Sequence, residues 1–372
     1  MNKPIDPAQL GLMRGEPERI VPMRISERAR DTLDILFIAK HALGDGALHG
    51  EDGNHAVYHH EMREVLLGLD LNLQVADSHD VLFDDPAVDY VFPLLNRAGF
   101  LNSEMLLPLL CARLGVPCLG ASPILRGLSD DKHLSKLAAR ARGLLTAPWA
   151  IYRRGAPVSA QDCPRGTRFV VKPNASSASW GVGDAHDWPS VRAAVEALHE
   201  QGHDAIVEPF IEGSDIEVPV ITMHGEPVIL PPMLFEQADP AHLRSYWEKR
   251  DLVERQSTGP RAYSLVPMQD GKALTQAKAM TARLWDEYRP FDYGRFEYRY
   301  DDRSGEVWFL EQNLNCNLWS QKVFGRAAAL AGMTQSDLIE TILAEGLRRH
   351  GLQDGRRGPV GYAGSRKLEG VA

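Results

Sequence analysis

Near residue 212 the chain changes the way its apolar segments follow one another, and that change limits the folds open to it. Before it, strand-like and helix-like segments alternate. DILFIAK (34–40) is a short aliphatic run, followed by a loop rich in Gly, His and Asp and by YHHEMREVLLGLD, with apolar residues at helical spacing. LNLQVAD and DYVFPLL then predict strands, NSEMLLPLLCARLG a helix closed by Gly115, and VPCLGAS another short strand. Alternation of this kind needs crossover connections and predicts a parallel α/β sheet over roughly residues 30–122. The helix SDDKHLSKLAARARG with a Ser/Asp cap, the strands PWAIYRR and RFVVKP, the helix SVRAAVEALHEQG and the strand DAIVEPFIEG come next. That strand leads directly into SDIEVPVITMHGEPVIL, which alternates, turns at HGEP and predicts an antiparallel hairpin.

Residues 235–270 are polar and irregular, and a loop of that length predicts a segment that borders a site. The helix KALTQAKAMTARLWDEY, the strands DYGRFEYRYD and EVWFLEQN, and the helix SDLIETILAEGLRRH complete the folded part. The expected divisions are an extension (1–29), an N-terminal parallel α/β domain (30–122), a central unit (123–212), a C-terminal unit (213–350) and a tail (351–372). With 44% hydrophobic and 24% charged residues, the 372-residue chain has the composition of a soluble globular protein with room for two or three cores. A net charge of -9 argues against a general nucleic-acid binder. No apolar run is long enough to cross a bilayer and the first residues lack the apolar core of a signal peptide, so a cytoplasmic location is expected, with no membrane partner. Cys111, Cys118, Cys163 and Cys316 show no CxxC spacing and suit reduced thiols rather than a disulfide frame or a zinc site.

Three places concentrate polar chemistry. GRFEYRYDDRSGEVWFLEQN predicts a hairpin with Arg295 and Glu297 on one face of its first strand and Glu311 and Asn313 on one face of its second. If the strands pair, three oxygen ligands and a guanidinium share a patch, which suits Mg2+ completed by phosphate oxygens; the same spacing also suits a solvated face with a cross-strand salt bridge. In RFVVKPNASSASWGVG, Lys172 ends a strand before a loop of small residues, an arrangement that lets backbone N–H groups and a lysine meet phosphates, or else an ordinary surface loop. It lacks the GKS or GKT of a Walker loop. In IVEPFIEGSD, Glu208 ends a strand where it could accept from an adenine amino group, with Asp215 near enough in sequence to take ribose hydroxyls; Glu208 also suits a plain edge carboxylate.

Together and in this order, these elements resemble the ATP-grasp superfamily and, within it, the D-alanine–D-alanine ligases, over nearly all of roughly 30–350. NLNCNLWSQKVFGRAAALAGM runs without a gap against the family's N-T-S-P-G-M-T stretch and following helix, and VPCLGASPILRGLSDDKHLSK is similar to its G-x-P-Y-x-G-S segment and M-D-K helix start. The resemblance implies an α/β ATP-grasp fold, with a parallel N-terminal domain and two α+β subdomains clasping ATP. It implies that Lys132 and Lys172 contact ATP phosphates, that Glu208, Phe210, Ile211 and Asp215 hold adenine and ribose, and that Ser179 belongs to the same nucleotide-binding set. Glu297, Glu311 and Asn313 fall on the magnesium ligands, for two Mg2+ ions with Mn2+ as a substitute; Arg295 falls on the arginine at the acyl centre and Lys249 on a lysine of the loop over the site. The implied reaction is amide formation between a carboxylic acid and an amine or amino acid through an acyl phosphate, and the implied assembly is a homodimer.

The substrate-facing motifs depart from the family. Its G-G-x-S-x-E glutamate, which holds the first substrate's amino group, has no match in HALGDGALHGEDGNHAVYHHE, where Asn54 sits near the position. Asn96 replaces the histidine of its H-G-x-x-G-E-D-G motif, Ala178 a loop serine flanked by Ser176, Ser177 and Ser179, and Arg250 a loop tyrosine. Lys322 replaces the serine that holds the second substrate's carboxylate and predicts, with Arg295, a clamp on the acceptor's carboxylate. His55 and His59 lie one helical turn apart; with no third ligand in a motif, they and His60 and Glu61 read as exposed helix residues or substrate contacts before a metal site. Cys316 reads as a pocket wall. The expectation is a ligase for substrates other than two D-alanines, with a true D-alanine–D-alanine ligase and a catalytically inactive nucleotide sensor or scaffold as the alternatives.

Overall fold

The computed structural model describes residues 20–95, 99, 103–177, 179–237, 239–243, 263–269 and 271–355. Its N-terminal part is a parallel sheet of β1 (Asp34–Ile38), β2 (Asn72–Ala76) and β3 (Tyr90–Pro93) in the order β2-β1-β3. Successive β1 side chains enter different cores, Ile35 and Phe37 on one side and Leu36 and Ile38 on the other, which is why this strand is a continuous apolar run. Helices α1 (Glu27–Thr32), α2 (His55–Leu67) and α3 (Leu106–Leu114) belong to this part, and α3 ends on Gly115 in the left-handed conformation (φ +71°). VPCLGAS is not a strand. It meets β3 at a single parallel bridge, Val91 to Cys118, because Pro117 has no N–H with which to continue a ladder.

Helices α4 (Pro123–Asp130) and α5 (Lys132–Ala141) follow, and Asp131 caps α5 by accepting from the Leu134 N–H at 2.8 Å. A second sheet holds β4 (Ala150–Tyr152), β5 (Phe169–Pro173), β6 (Gly183–Ala185) and β7 (Ala205–Pro209) in the order β4-β7-β5-β6, with α6 (Trp188–Glu200) contributing Val191, Val195 and Leu198 to its core. Every pair in it is antiparallel, so the change of sheet type falls before residue 150 and not near 212.

The third sheet runs β11 (Tyr263–Pro267), β10 (Met233–Gln237), β8 (Ser214–Met223), β12 (Tyr293–Asp301), β13 (Glu306–Asn313), with β9 (Glu226–Ile229) also paired to β8. His224 and Gly225, both at positive φ, make the tight turn from β8 to β9. The segment expected to be irregular over 235–270 therefore has paired strands at both ends, β10 against β11. Helix α7 (Lys272–Tyr288) buries Leu284 and Trp285 against this sheet, and α8 (Val323–Leu330) and α9 (Gln335–Arg349) join it to the N-terminal sheet in one core that includes Phe37, Tyr58, Phe324 and Leu343. No helix among the described residues is long and apolar enough to cross a membrane.

Residues 20–29, part of the extension expected over 1–29, are packed against α9. Met23, Ile25 and Ala29 are buried, and the buried Glu340 carboxylate accepts from Arg24 (2.6 Å), Arg30 (2.5 Å) and the Ile25 N–H (3.0 Å). Removing that carboxylate leaves the buried Ile25 N–H without its acceptor and takes one partner from each guanidinium, Arg24 keeping Asp337 and Arg30 the Leu69 carbonyl. Glu340→Ala is expected to cost about 3 kcal/mol, read from the urea midpoint, and a loss below about 0.5 kcal/mol would mean the segment is not anchored there.

Candidate active site

The β12–β13 hairpin forms in the register that its alternation predicts: Arg295 opposite Asn313, and Glu297 opposite Glu311, with a bulge just after Glu297. On the other side of β12, β8 places Glu217 opposite Glu297. Three carboxylates from three adjacent strands thus form one row, Glu217, Glu297, Glu311. Arg295 bridges two of them, with Nη1 2.8 Å from Glu217 and Nη2 2.5 Å from Glu297. Burial disfavours its charge, but Glu217 and Glu297 outweigh burial and hold the guanidinium firmly protonated.

Beside this row lies a lysine cluster. Lys132 Nζ donates to the Ser176 carbonyl (2.9 Å) and stands 3.3 Å from Glu311. Glu208 is buried between Lys172 and Lys136, each ammonium 2.5 Å from one of its oxygens. Burial alone would push Glu208 up; the two lysines overcome it and hold the carboxyl at about 2. The adenine contact expected of Glu208 would thus share a carboxylate already engaged with two ammoniums. Lys136, one helical turn after Lys132, has no place in the sequence-based set; its signal was a lysine at i+4 on a capped helix, which reads equally as a solvated face.

Phe210 lies under the Arg168 guanidinium (3.8 Å to the ring centre), and Arg299 donates to the Ile211 carbonyl (2.8 Å) and to Asp215 (2.8 Å). Lys172, Ser179, Glu208, Phe210, Ile211 and Asp215 line one cavity of about 130 Å³, so the residues expected around a nucleotide are brought together. A larger cavity, about 460 Å³, is lined by Arg295, Asn313, Cys316, Lys322 and residues of the N-terminal part. Lys132, Ser176, Ser177, Glu297 and Glu311 line both. The two spaces meet at the carboxylate row. Glu297, Glu311 and Asn313 supply only oxygen donors from neighbouring positions, the chemistry that fits Mg2+. Lys249, Arg250, Asn96 and Ala178 lie outside the described residues.

The far wall of the larger cavity comes from α2 and the loop before it. Asp52 accepts from Lys40 (2.5 Å) and His41 Nε2 (2.8 Å), and His49 stands 3.8 Å from it. His41, His49 and Asp52 are close enough to one another for a metal, but the Lys40 ammonium already matches the Asp52 charge. His59 is not an exposed helix residue: it is 5% exposed, and its ring meets His55 edge to face at 5.8 Å rather than presenting two nitrogens to one ion. A neighbouring stripe of α2 holds the loop before α8. Tyr58 Oη accepts from the Leu318 N–H (3.0 Å), and Glu61 accepts from Trp319 Nε1 (2.9 Å), the Ser320 N–H (3.1 Å) and Ser320 Oγ (2.8 Å). Lys322 follows this loop as the residue capping α8, its Nζ 5.9 Å from the Trp319 ring. Burial pushes the Cys316 thiol up to about 12, which agrees with a wall and not a nucleophile.

Comparison with known proteins fits this geometry. The family described as "D-ala D-ala ligase C-terminus" matches residues 140–344. Uncharacterized protein y4sG of Sinorhizobium fredii is 32% identical over 248 residues, 65% of this chain and 70% of that protein. D-alanine–D-alanine ligase of Maridesulfovibrio salexigens is 26% identical over 286 residues, 73% of this chain and 89% of that protein. The crystal structure of D-alanine–D-alanine ligase from Bacillus anthracis complexed with ATP superposes with a TM-score of 0.64 at 18% identity, covering 86% of this chain and 99% of that one, and so shares its fold. The match to the family spans more than half of the chain and includes the carboxylate row, and the chain accordingly belongs to the D-alanine–D-alanine ligase C-terminal family of ATP-grasp proteins.

Proposed function

We propose that this protein is an ATP-dependent ligase that joins a carboxylic acid to an amine or amino acid through an acyl phosphate, with substrates other than two D-alanines. The observation that supports it is the junction of the two cavities at Lys132, Glu297 and Glu311, where a phosphate from one space can meet a carboxylate from the other. Lys132 and Lys172 neutralise phosphate oxygens, and Glu208 with Lys136 fixes Lys172 in place. Ser179, Phe210, Ile211 and Asp215 surround the nucleoside. Glu297, Glu311 and Asn313 would hold Mg2+, two ions in the full site; such ions supply positive charge to the phosphate oxygens.

A carboxylate oxygen of the acid attacks the γ-phosphorus of ATP, forming the acyl phosphate and releasing ADP. The amine then attacks the acyl carbon, its proton leaves, and phosphate departs with the bonding electrons. Arg295 donates to the oxyanion formed in that step, the family resemblance assigns Lys249 to the same catalytic set, and Lys322 pairs with the carboxylate of an amino-acid acceptor. Loss of the family's amine-binding glutamate and the presence of Lys322 support substrates different from D-alanine. D-alanine in both places is the second reading, favoured by the names of the relatives that match the chain.

ADP release is expected to require an acid and an amine together, with a product whose mass is their sum less water. Nucleotide binding without turnover across a broad screen of pairs would point instead to a sensor, and product from D-alanine alone to the second reading. Glu311→Gln is expected to lower kcat by about 10²-fold with the fold intact, and removal of divalent cations by a chelator to abolish ADP release reversibly. Lys322→Ala is expected to raise the KM of an amino-acid acceptor about tenfold with little change in the KM of ATP, and an unchanged acceptor KM would remove Lys322 from the clamp.

A further inference from the structure

The wall of the larger cavity at the start of α2 offers hydrogen-bond donors and positive ends, and its nearby carboxylate is already matched. His59 is nineteen-twentieths buried, yet it lines the cavity. Its Nδ1 accepts the backbone N–H of His41 (3.2 Å), which fixes the ring proton on Nε2, and Nε2 has no hydrogen-bond partner among the described residues. Burial, with His55 and His41 nearby, lowers the His59 pKa to about 3, so the ring is neutral and Nε2 can only donate. An ammonium ion cannot satisfy it.

Two neighbours point the same way. Asp52, the carboxylate of this wall that could hold an ammonium, takes the Lys40 and His41 contacts at 2.5 and 2.8 Å. His55 opens a 13-residue helix, so the cavity faces the positive end of its dipole. A ligand oxygen placed in the cavity at this point gives that N–H its acceptor.

We propose that His59, at the start of α2, is a specificity-determining residue whose Nε2–H binds an oxygen acceptor on the acid substrate, so that the preferred acid carries a second carboxylate or an amide carbonyl in place of a free ammonium. This rests on the ligase reading only in assigning the group to the acid. The Asn54 position, where the sequence departs from the family's amine-binding glutamate, immediately precedes this helix. The inference concerns binding of the acid and needs no turnover to be tested.

Binding of matched acids to the full chain, held with Mg2+ and a non-hydrolysable ATP analogue, is the test, read by calorimetry. Succinate against β-alanine compares a second carboxylate with an ammonium at equal chain length, and N-acetylglycine against glycine compares an amide carbonyl with an ammonium. At least one oxygen-bearing acid is expected to bind about tenfold or more tightly than its amine counterpart, and which one does so tells carboxylate from carbonyl. His59→Phe is expected to erase that preference, while His59→Gln, which keeps an N–H at similar reach, retains most of it. Equal or tighter binding of the ammonium acids, no binding of any of the four, or a His59→Phe protein with undiminished preference would each overturn the proposal. Acid- and amine-dependent ADP release, measured separately, tests the ligase reading, so the two can fail independently.

Discussion

Arg295 lies between Glu217 and Glu297, and the third sheet's arrangement at the active site depends on that contact. Three carboxylates on adjacent strands would repel one another and lose hydration if buried alone, a cost that grows steeply in a medium poorer in water. The guanidinium bridges the first two and Lys132 stands against the third, which leaves one net negative charge in the row. Because the matching cation belongs to β12 itself, the row is set by strand register: a slip of one residue would turn Arg295, Glu297 and their partners to the opposite face. The β8–β12–β13 ladder is thus both the scaffold of the site and the source of its negative charge.

The same logic extends outward. Lys172 and Lys136 clasp Glu208 where the second sheet approaches the row, so both lysines are held in place by one buried carboxylate. Helix α2 supplies the other fixed wall, with His55 and His59 toward the cavity and Tyr58 and Glu61 bolting the loop that leads to Lys322. Preorganisation of this kind lets binding energy go into orienting substrates rather than ordering the protein.

Much of this could be read from the sequence because it rests on local periodicity. The period of two in GRFEY and FLEQN placed Arg295 with Glu297 and Glu311 with Asn313, and the strand ends placed Lys172 and Glu208 near one another's cavity. What could not be read depends on partners distant in the chain. Glu217 sits inside an apolar strand and gains its meaning from Arg295, 78 residues later, and Glu61 from a loop more than 250 residues away. Strand direction in the second sheet was missed for a related reason: PWAIYRR and RFVVKP have the composition of strands, but pairing direction is set by connections that composition does not encode. His59 was legible as a histidine on a helix and not as a buried donor, since burial there comes from how α2 packs into the shared core.

If ATP phosphorylates an acid at the carboxylate row, an oxygen of that acid ends in phosphate. The measurement follows that oxygen: an acid labelled with 18O in its carboxylate is turned over with its amine, and the released phosphate is analysed by mass. The acyl-phosphate route transfers one labelled oxygen from the acid to inorganic phosphate. Phosphate that carries no label from a reaction that still makes amide would rule out an acyl phosphate at this row.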